Sequence, residues 1–245
     1  MLCSRVLMAT PVLDALHGGD LYIAVQPIVD LAKRDIFGYE GLLRCRSGTW
    51  KSPPQALQAA ADEGSLGALG RGLRELCTLA TPRHCLFVNV NPAEFDEGWL
   101  VRPDDPMFSH DRDIYVELTE SVPLSHFRMC HTILHEMRSR GVFLAVDDLG
   151  AGYSNLKYIA DLQPEVVKLD RSLIAGVTAK SRLDRLLRSL VRLCHDMGSR
   201  VVCEGIETED EFRAVLDAGA DFAQGYYLAR PAYPPPPVDF ARLPR

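Results

Sequence analysis

Acidic, amide and lysine side chains recur at the ends of short apolar segments along this sequence. They are Glu40, Asn89, Asn91, Glu117, Glu120, Asp147, Asp148, Lys168, Asp170, Glu204, Glu207 and Gln224. Two carboxylates about 4 Å apart repel by about 4 kcal/mol at an effective dielectric constant of 20, so a convergent set requires cations. Carboxylate and amide oxygens are the ligands that Mg²⁺ and Mn²⁺ prefer. The pattern therefore predicts a metal site.

The set is large enough for two ions. Glu40, Asn89, Glu117 and Asp147 suit one ion, and Asp148 adds a ligand for a second. Two ions about 3.5–4 Å apart suit in-line displacement at phosphorus, where they activate water and stabilise phosphate oxygens. A single acid after a strand is usually a turn residue or a helix N-cap, so the hypothesis depends on the whole set. The predicted chemistry is metal-assisted hydrolysis of a phosphoester.

Eight short apolar segments are predicted to be the strands that position these side chains. They span residues 21–26, 35–43, 85–90, 113–118, 142–147, 166–169, 200–203 and 221–223. Between most of them, apolar residues recur at helical spacing, as in segments 54–79, 123–140, 181–197 and 209–218. Strands alternating with helices indicate a parallel sheet, and eight in 245 residues indicate a closed barrel with its site at the carboxyl ends of the strands.

The first connection departs from this alternation. Too few residues separate Ile28 from Lys33 for a parallel crossover, which needs a dozen or more. The first two strands are therefore predicted to pair as an antiparallel hairpin. The expected fold class is α/β, a TIM-like (β/α)8 barrel with an antiparallel first strand.

Composition excludes several classes of protein. The hydrophobic fraction of 47% is ordinary for a globular chain, and 27 Lys and Arg against 33 Asp and Glu give a net charge of −6. The charge balance gives no broad excess of positive charge that could bind polymeric DNA or RNA. No apolar run reaches the roughly 20 residues that a membrane span needs. The seven cysteines are scattered, so we expect reduced thiols and a cytoplasmic protein.

The chain is predicted to contain one large unit. We expect an N-terminal segment over residues 1–19, the barrel over 20–231, and a stiff Pro-rich tail over 232–245 that leaves the barrel. The leucines at 183, 186, 187, 190 and 193 form a stripe that predicts packing of a helix on the sheet.

An ordered series of motifs resembles the EAL domain family over about residues 20–231. The motifs are Gln26-Pro27-Ile28-Val29, Glu40-Gly41-Leu42-Leu43-Arg44, Asn89, Glu117-Leu118-Thr119-Glu120-Ser121, Asp147-Asp148-Leu149-Gly150-Ala151-Gly152-Tyr153-Ser154, Lys168-Leu169-Asp170, Glu204-Gly205-Ile206-Glu207 and Gln224-Gly225-Tyr226. The resemblance implies a barrel with an antiparallel first strand. It also implies hydrolysis of the second messenger cyclic di-GMP to linear pGpG with Mg²⁺ or Mn²⁺.

The resemblance also implies a role for each matching residue. Metal ligands would be Glu40, Asn89, Glu117, Asp147 and, for the second ion, Asp148. Catalytic and supporting residues would be Lys168 orienting the attacking water, Glu204 as general base or metal bridge, Glu207 and Gln224. Substrate would be held by Gln26, Asp170 and Arg44, with Arg44 on a phosphate. Glu120 would fix the loop after the fifth strand.

Three positions depart from the family pattern. Gly41 stands where the signature has alanine, and because the ligand Glu40 is kept we expect a small effect. Leu149 and Ala151 replace phenylalanine and threonine in the loop after the fifth strand. Loss of the threonine hydroxyl would loosen the hold of Glu120 on that loop and slow catalysis.

Every metal and base position is kept, which favours an active enzyme. The resemblance further implies a homodimer, and a separate protein partner could regulate it. The alternatives are a catalytically silent receptor for cyclic di-GMP, a protein-interaction module that has lost the nucleotide, and a barrel lyase using Lys168 as a base with one Mg²⁺. Retention of Gln26 and Arg44 speaks against the second, and the paired Asp147 and Asp148 against the third.

Overall fold

Eight strands close into a barrel in the order in which they occur in the chain. The computed structural model describes residues 10–46, 49–96, 98–119, 127–151 and 156–244. The strands are β1 (Leu21–Asp30), β2 (Asp35–Cys45), β3 (Cys85–Asn89), β4 (Ile114–Thr119), β5 (Val142–Leu149), β6 (Val166–Leu169), β7 (Arg200–Cys203) and β8 (Phe222–Ala223). Strand β1 is antiparallel to β2 and β8, and all other neighbours are parallel. The predicted fold class is confirmed, including the hairpin.

The reversed first strand changes how its polar residue reaches the site. In the hairpin register Gln26 is paired with Glu40, in the middle of β1 and not at its carboxyl end. Because β1 runs against the other strands, a mid-strand residue lies level with side chains near the carboxyl ends of its neighbours. The hairpin therefore brings Gln26 to the same mouth of the barrel.

Helices cover the barrel. They are α1 (Pro11–His17), α2 (Pro53–Asp62), α3 (Leu66–Ala80), α4 (Ala93–Asp96), α5 (Phe127–Ser139), α6 (Lys157–Leu162), α7 (Arg182–Asp196) and α8 (Glu209–Ala218), with short 3₁₀ helices at Trp99–Val101, Pro106–Ser109 and Arg171–Leu173. The segment 54–79, predicted as one helical stretch, is two helices. The break occurs at Gly64, whose φ of +66° is a left-handed conformation that favours glycine and ends a helix.

Aromatic side chains fill the barrel at the amino ends of the strands. Phe37 stacks on Phe222 at a centroid distance of 4.2 Å, and Phe87 stacks on Tyr115 at 4.5 Å. The guanidinium of Arg200 lies 5.0 Å from the Phe37 ring and donates a hydrogen bond to the Tyr115 hydroxyl. Polar side chains are thereby left to the opposite end of the barrel.

Helix α7 packs on the barrel through a face different from the predicted leucine stripe. Its buried apolar residues are Leu187, Val191 and Cys194. Leu186, Leu193 and Met197 are exposed by 46%, 36% and 42%. The prediction that the whole stripe packs on the sheet was wrong, because the stripe is wider than the face that a helix can press against one sheet.

The Pro-rich tail lies against the barrel, in contrast to the predicted departure from it. Arg34 donates hydrogen bonds to the backbone carbonyl oxygens of Phe240, Leu243 and Pro244 at 2.7, 3.1 and 2.7 Å. The Leu243 side chain is buried. The Arg34 guanidinium therefore holds the tail against the barrel through three backbone carbonyl groups, a contact that the Pro-rich composition did not predict. The domain boundaries at residues 19 and 231 stay a prediction.

Among the described helices, none combines the length and the apolar character needed to span a membrane.

Candidate active site

A buried lysine lies at the centre of the polar end of the barrel. Lys168, on β6, is 1% exposed. Its Nζ lies 2.5 Å from Glu117 Oε1, 2.6 Å from Glu204 Oε1, 3.0 Å from Asp147 Oδ1 and 3.6 Å from Glu40 Oε2. Four carboxylates therefore surround one ammonium group, so the cluster has an excess of negative charge.

Amide side chains bind the outer oxygens of this cluster. Asn89 Nδ2 donates to Glu117 Oε2 at 3.0 Å and to Glu40 Oε1 at 3.3 Å. Gln224 Nε2 donates to Glu40 Oε2 at 2.6 Å and to Gln26 Oε1 at 3.2 Å. Because each amide donates to two oxygens, it fixes the orientation of its acceptors.

Burial determines the protonation of the site. Burial raises the pKa of Glu117 and of Glu204 well above the usual range, with Lys168 opposing the shift. Burial opposes the charged form of Lys168, but the acids around it outweigh burial and raise its pKa well above its usual value. Burial and the neighbouring Asp147 raise the pKa of Asp148 to about 6. The ammonium stays charged, and the carboxylates are stabilised by additional positive charge.

The donor set fits divalent cations. In the part of the chain that the structure describes, the buried oxygens Glu117 Oε1, Asp147 Oδ1 and Glu204 Oε1 contact the Lys168 ammonium but have no other hydrogen-bond partner, and Gln224 Oε1 has none. Ligand atoms lie within 4.8 Å of one another in two groups, Glu40 with Glu117 and Asp147, and Asp147 with Asp148 and Glu204. Because Asp147 belongs to both groups, the arrangement suits two neighbouring ions with hard oxygen ligands.

Asp148 is placed by an unusual backbone conformation. Its φ is +59°, in the left-handed region that non-glycine residues rarely adopt. Such conformations cost of the order of 1–3 kcal/mol and concentrate at functional sites. The strain turns the chain at the end of β5, where Asp147 and Asp148 join the same ligand group.

Three other predicted residues lie near the cluster without joining it. Arg44 donates to the backbone carbonyl of Leu43 at 2.9 Å and lines a neighbouring cavity of about 390 Å³. Asp170 accepts the Ser172 N–H at 2.9 Å and caps a 3₁₀ helix, which is the ordinary turn role. Glu207 pairs with Arg171 at 3.0 Å. Glu120 lies outside the described residues.

Sequence reasoning missed Arg171. Its guanidinium donates to the Gly205 carbonyl, pairs with Glu207, and lines a cavity of about 260 Å³ together with Gln26, Glu40 and Gln224. The available signal was its position directly after the Lys168-Leu169-Asp170 motif, which places a cation at the same mouth.

Gly41 is required by close packing in this chain. A methyl group at position 41 would lie 2.3 Å from the Sγ atom of buried Cys77. Overpacking of this kind typically costs about 1–3 kcal/mol. We therefore expect Gly41→Ala to lower the free energy of unfolding by about 1–3 kcal/mol in urea denaturation.

The matched control is the double variant Gly41→Ala, Cys77→Ala, which removes the sulfur that the methyl would meet. The double variant is expected to lose less free energy of unfolding than the two single variants lose together, because the effects of residues in contact are not additive. A Gly41→Ala variant as stable as the wild type would contradict the packing argument.

Comparisons with known proteins point to one family. The family described as "EAL domain" matches residues 11–231. The cyclic di-GMP phosphodiesterase PA2567 of Pseudomonas aeruginosa is 29% identical over 240 residues, covering 90% of this chain and 40% of that protein. The chain thus spans less than half of this relative's length.

Solved structures agree with this match. Klebsiella pneumoniae BlrP1 in complex with manganese and cyclic di-GMP is 28% identical, with a TM-score of 0.74, covering 87% of this chain and 56% of that one. A standalone EAL protein from Vibrio cholerae O395 in its cyclic di-GMP-bound form is 25% identical, with a TM-score of 0.73, covering 91% of this chain and 98% of that one.

Proposed function

Because the chain belongs to the EAL domain family, we propose that it hydrolyses cyclic di-GMP to linear pGpG with two bound Mg²⁺ or Mn²⁺ ions. The observation that carries this proposal is the pair of ligand groups sharing Asp147 around buried Lys168. Two cavities adjoin this cluster, and they offer space for a ligand across the mouth of the barrel.

Bound divalent ions would lower the pKa of a water molecule and stabilise charge on the phosphate oxygens. Glu40, Asn89, Glu117, Asp147 and Asp148 would hold these ions. Glu204 is the proposed general base, because it lies at the cavity wall and belongs to one of the two ligand groups, where a bound ion would keep it ionised. Lys168 contacts Glu204 at 2.6 Å and would orient both that carboxylate and the attacking water.

We call the group formed by Lys168 and the carboxylates around it the metal-site cluster; these carboxylates are Glu40, Glu117, Asp147 and Glu204. Substrate binding is proposed for residues on either side of this cluster. Gln26 and Gln224 line one cavity and hydrogen-bond to each other, so they can present amide groups to the dinucleotide. Arg44 lines the other cavity, where its guanidinium can bind a phosphate. Glu207 is proposed to act through Arg171, and Asp170 through the turn that it caps.

Assembly and location are part of the same proposal. Exposed Leu186 and Leu193 on α7, together with Met197 directly after its last residue, offer an apolar face that supports a homodimer or a regulatory protein partner. The described cysteines Cys45, Cys77, Cys85, Cys194 and Cys203 are free thiols, which supports a reducing compartment such as the cytoplasm.

Glu204→Gln distinguishes a hydrolase from a receptor. The amide keeps the shape of the side chain but cannot accept a proton, so turnover is expected to fall by about 10²–10⁴. Binding of cyclic di-GMP, measured by calorimetry in Ca²⁺, is expected to stay within about threefold of the wild type, because the proposed substrate contacts are kept.

The exposed Glu209→Gln on α8 serves as the matched control and is expected to change neither quantity. Wild-type protein that binds the nucleotide but forms no pGpG would favour the alternative of a silent receptor.

A further inference from the structure

A second buried charge cluster lies where α3 packs on α4 and on the 3₁₀ helix Pro106–Ser109. We call it the Arg74 cluster, and it comprises Arg74 on α3, Glu94 on α4 and Asp105. Arg74 is 1% exposed, and its guanidinium lies 2.7 Å from Glu94 Oε2 and 2.7 Å from Asp105 Oδ2. The proposed chemistry uses none of these side chains.

Fold stability alone is a weak reason for such a cluster. Removing charges from water costs several kcal/mol per ion, and well-packed apolar replacements of buried ion pairs are often as stable or more stable. The cluster also buries two carboxylates against one guanidinium. The burial of these charges is better explained by the backbone groups that the carboxylates bind and hold in place.

Glu94 holds the backbone that follows β3. Its Oε1 accepts the Asn91 N–H at 3.0 Å, and its own N–H donates to the Asn91 carbonyl at 2.9 Å. Asn91 is two residues beyond Asn89, whose side chain donates to Glu117 and Glu40 in the metal-site cluster. Both backbone groups of Asn91 are therefore fastened by a residue that Arg74 orients.

Asp105 and Gly70 complete the arrangement. Asp105 Oδ1 accepts the Met107 N–H at 3.1 Å and fixes the far side of the guanidinium. A methyl group at position 70 would lie 2.4 Å from Glu94 Oε2. Helix α3 thus leaves space at Gly70 for the Glu94 carboxylate to reach Arg74.

We propose that Arg74 and Glu94 are positioning residues for Asn89. They fix the chain between Asn89 and Glu94 so that the Asn89 amide keeps its place beside Glu40 and Glu117. Both line the cavity of about 390 Å³ that Arg44 also lines, but they are only 1% and 2% exposed, and the role inferred for them is to hold the chain and not to bind the ions. This inference rests on the proposed function only in requiring that the metal-site cluster binds divalent cations.

Glu94→Gln tests the inference. An amide has one acceptor oxygen where the carboxylate has two, so it can serve either Arg74 or the Asn91 N–H but not both. Arg74 keeps Asp105 as a charge partner, which preserves folding. We expect Mn²⁺ affinity, measured by calorimetry on the purified chain, to fall about 10–100-fold, as for other residues that orient metal ligands.

Gly70→Ala is the second variant, because it displaces the Glu94 carboxylate without changing any charge. It is expected to weaken Mn²⁺ binding in the same way, and it carries the test if Glu94→Gln fails to fold. Glu209→Gln, at an exposed ion pair on α8, is the control and should bind Mn²⁺ as the wild type does.

A folded Glu94→Gln or Gly70→Ala variant with a lowered Tm but unchanged Mn²⁺ affinity would overturn the inference, since it would show a structural role only. Failure of the wild type to bind Mn²⁺ would overturn the proposed function as well. The wild-type titration therefore separates the two failures.

Discussion

Replacing Lys168 by methionine is expected to lower turnover by about 10²–10³-fold and to destabilise the metal-free protein. The variant removes the cation that lies between Glu117, Glu204 and Asp147. Breaking a buried ion pair by removing one partner typically costs about 3–5 kcal/mol. Loss of an electrostatic contact in a buried active site typically lowers kcat by about 10²–10³. Urea denaturation and product analysis measure the two effects.

The loss of stability should depend on pH. Burial raises the folded-state pKa of Glu117 and Glu204, so the folded state binds protons more tightly than the unfolded chain. Stability from these groups is present at low pH and is lost as pH rises through their folded-state pKa. Lys168→Met should therefore be more destabilising at pH 8 than at pH 5.

Lys33→Met is the matched control, because the Lys33 side chain is 76% exposed and Asp30 keeps the hydrogen bond from the Lys33 backbone N–H. It should change neither stability nor turnover appreciably. A Lys168→Met variant that retains wild-type stability and turnover would contradict the central role of the buried ammonium.

Replacing Glu40 by alanine is the second change with a large expected effect. Glu40 accepts hydrogen bonds from Asn89 and Gln224 and lies 3.6 Å from Lys168 Nζ, so its removal affects three neighbours and one ligand group. Metal ions contribute several kcal/mol of transition-state stabilisation. Turnover is therefore expected to fall by on the order of 10³-fold or more.

Glu136→Ala, at an exposed ion pair on α5, is the control for Glu40→Ala and should retain turnover. Binding of Mn²⁺ should weaken in Glu40→Ala alone. Undiminished Mn²⁺ binding and turnover in Glu40→Ala would rule out this carboxylate as a ligand.

The barrel and its reversed strand could be predicted because their causes are local. Strand spacing, helical periodicity and a connection too short for a crossover are all visible between Leu21 and Cys45 and in the segments that follow. The positions of Glu40, Glu117, Asp147 and Lys168 then follow, because parallel strands bring their carboxyl ends to one mouth. The sequence pattern carries this information directly.

Other features depend on contacts between distant residues and could not be predicted. The Arg34 contacts with the tail span more than 200 residues, and the Arg74 cluster joins three separate elements. The requirement for Gly41 arises from Cys77, which lies on a helix packed against β2. The periodicity of a sequence shows which face of a helix or strand is apolar. It does not show which residues, far away in the sequence, will contact that face.

The most direct test of the central claim is product analysis with the purified chain. Cyclic di-GMP would be incubated with Mn²⁺ or Mg²⁺, and products would be separated by chromatography beside Glu40→Ala and an EDTA-treated sample. We expect pGpG to form only with the metal and to be lost in both controls. No pGpG from the wild type, or equal amounts from wild type and Glu40→Ala, would contradict it.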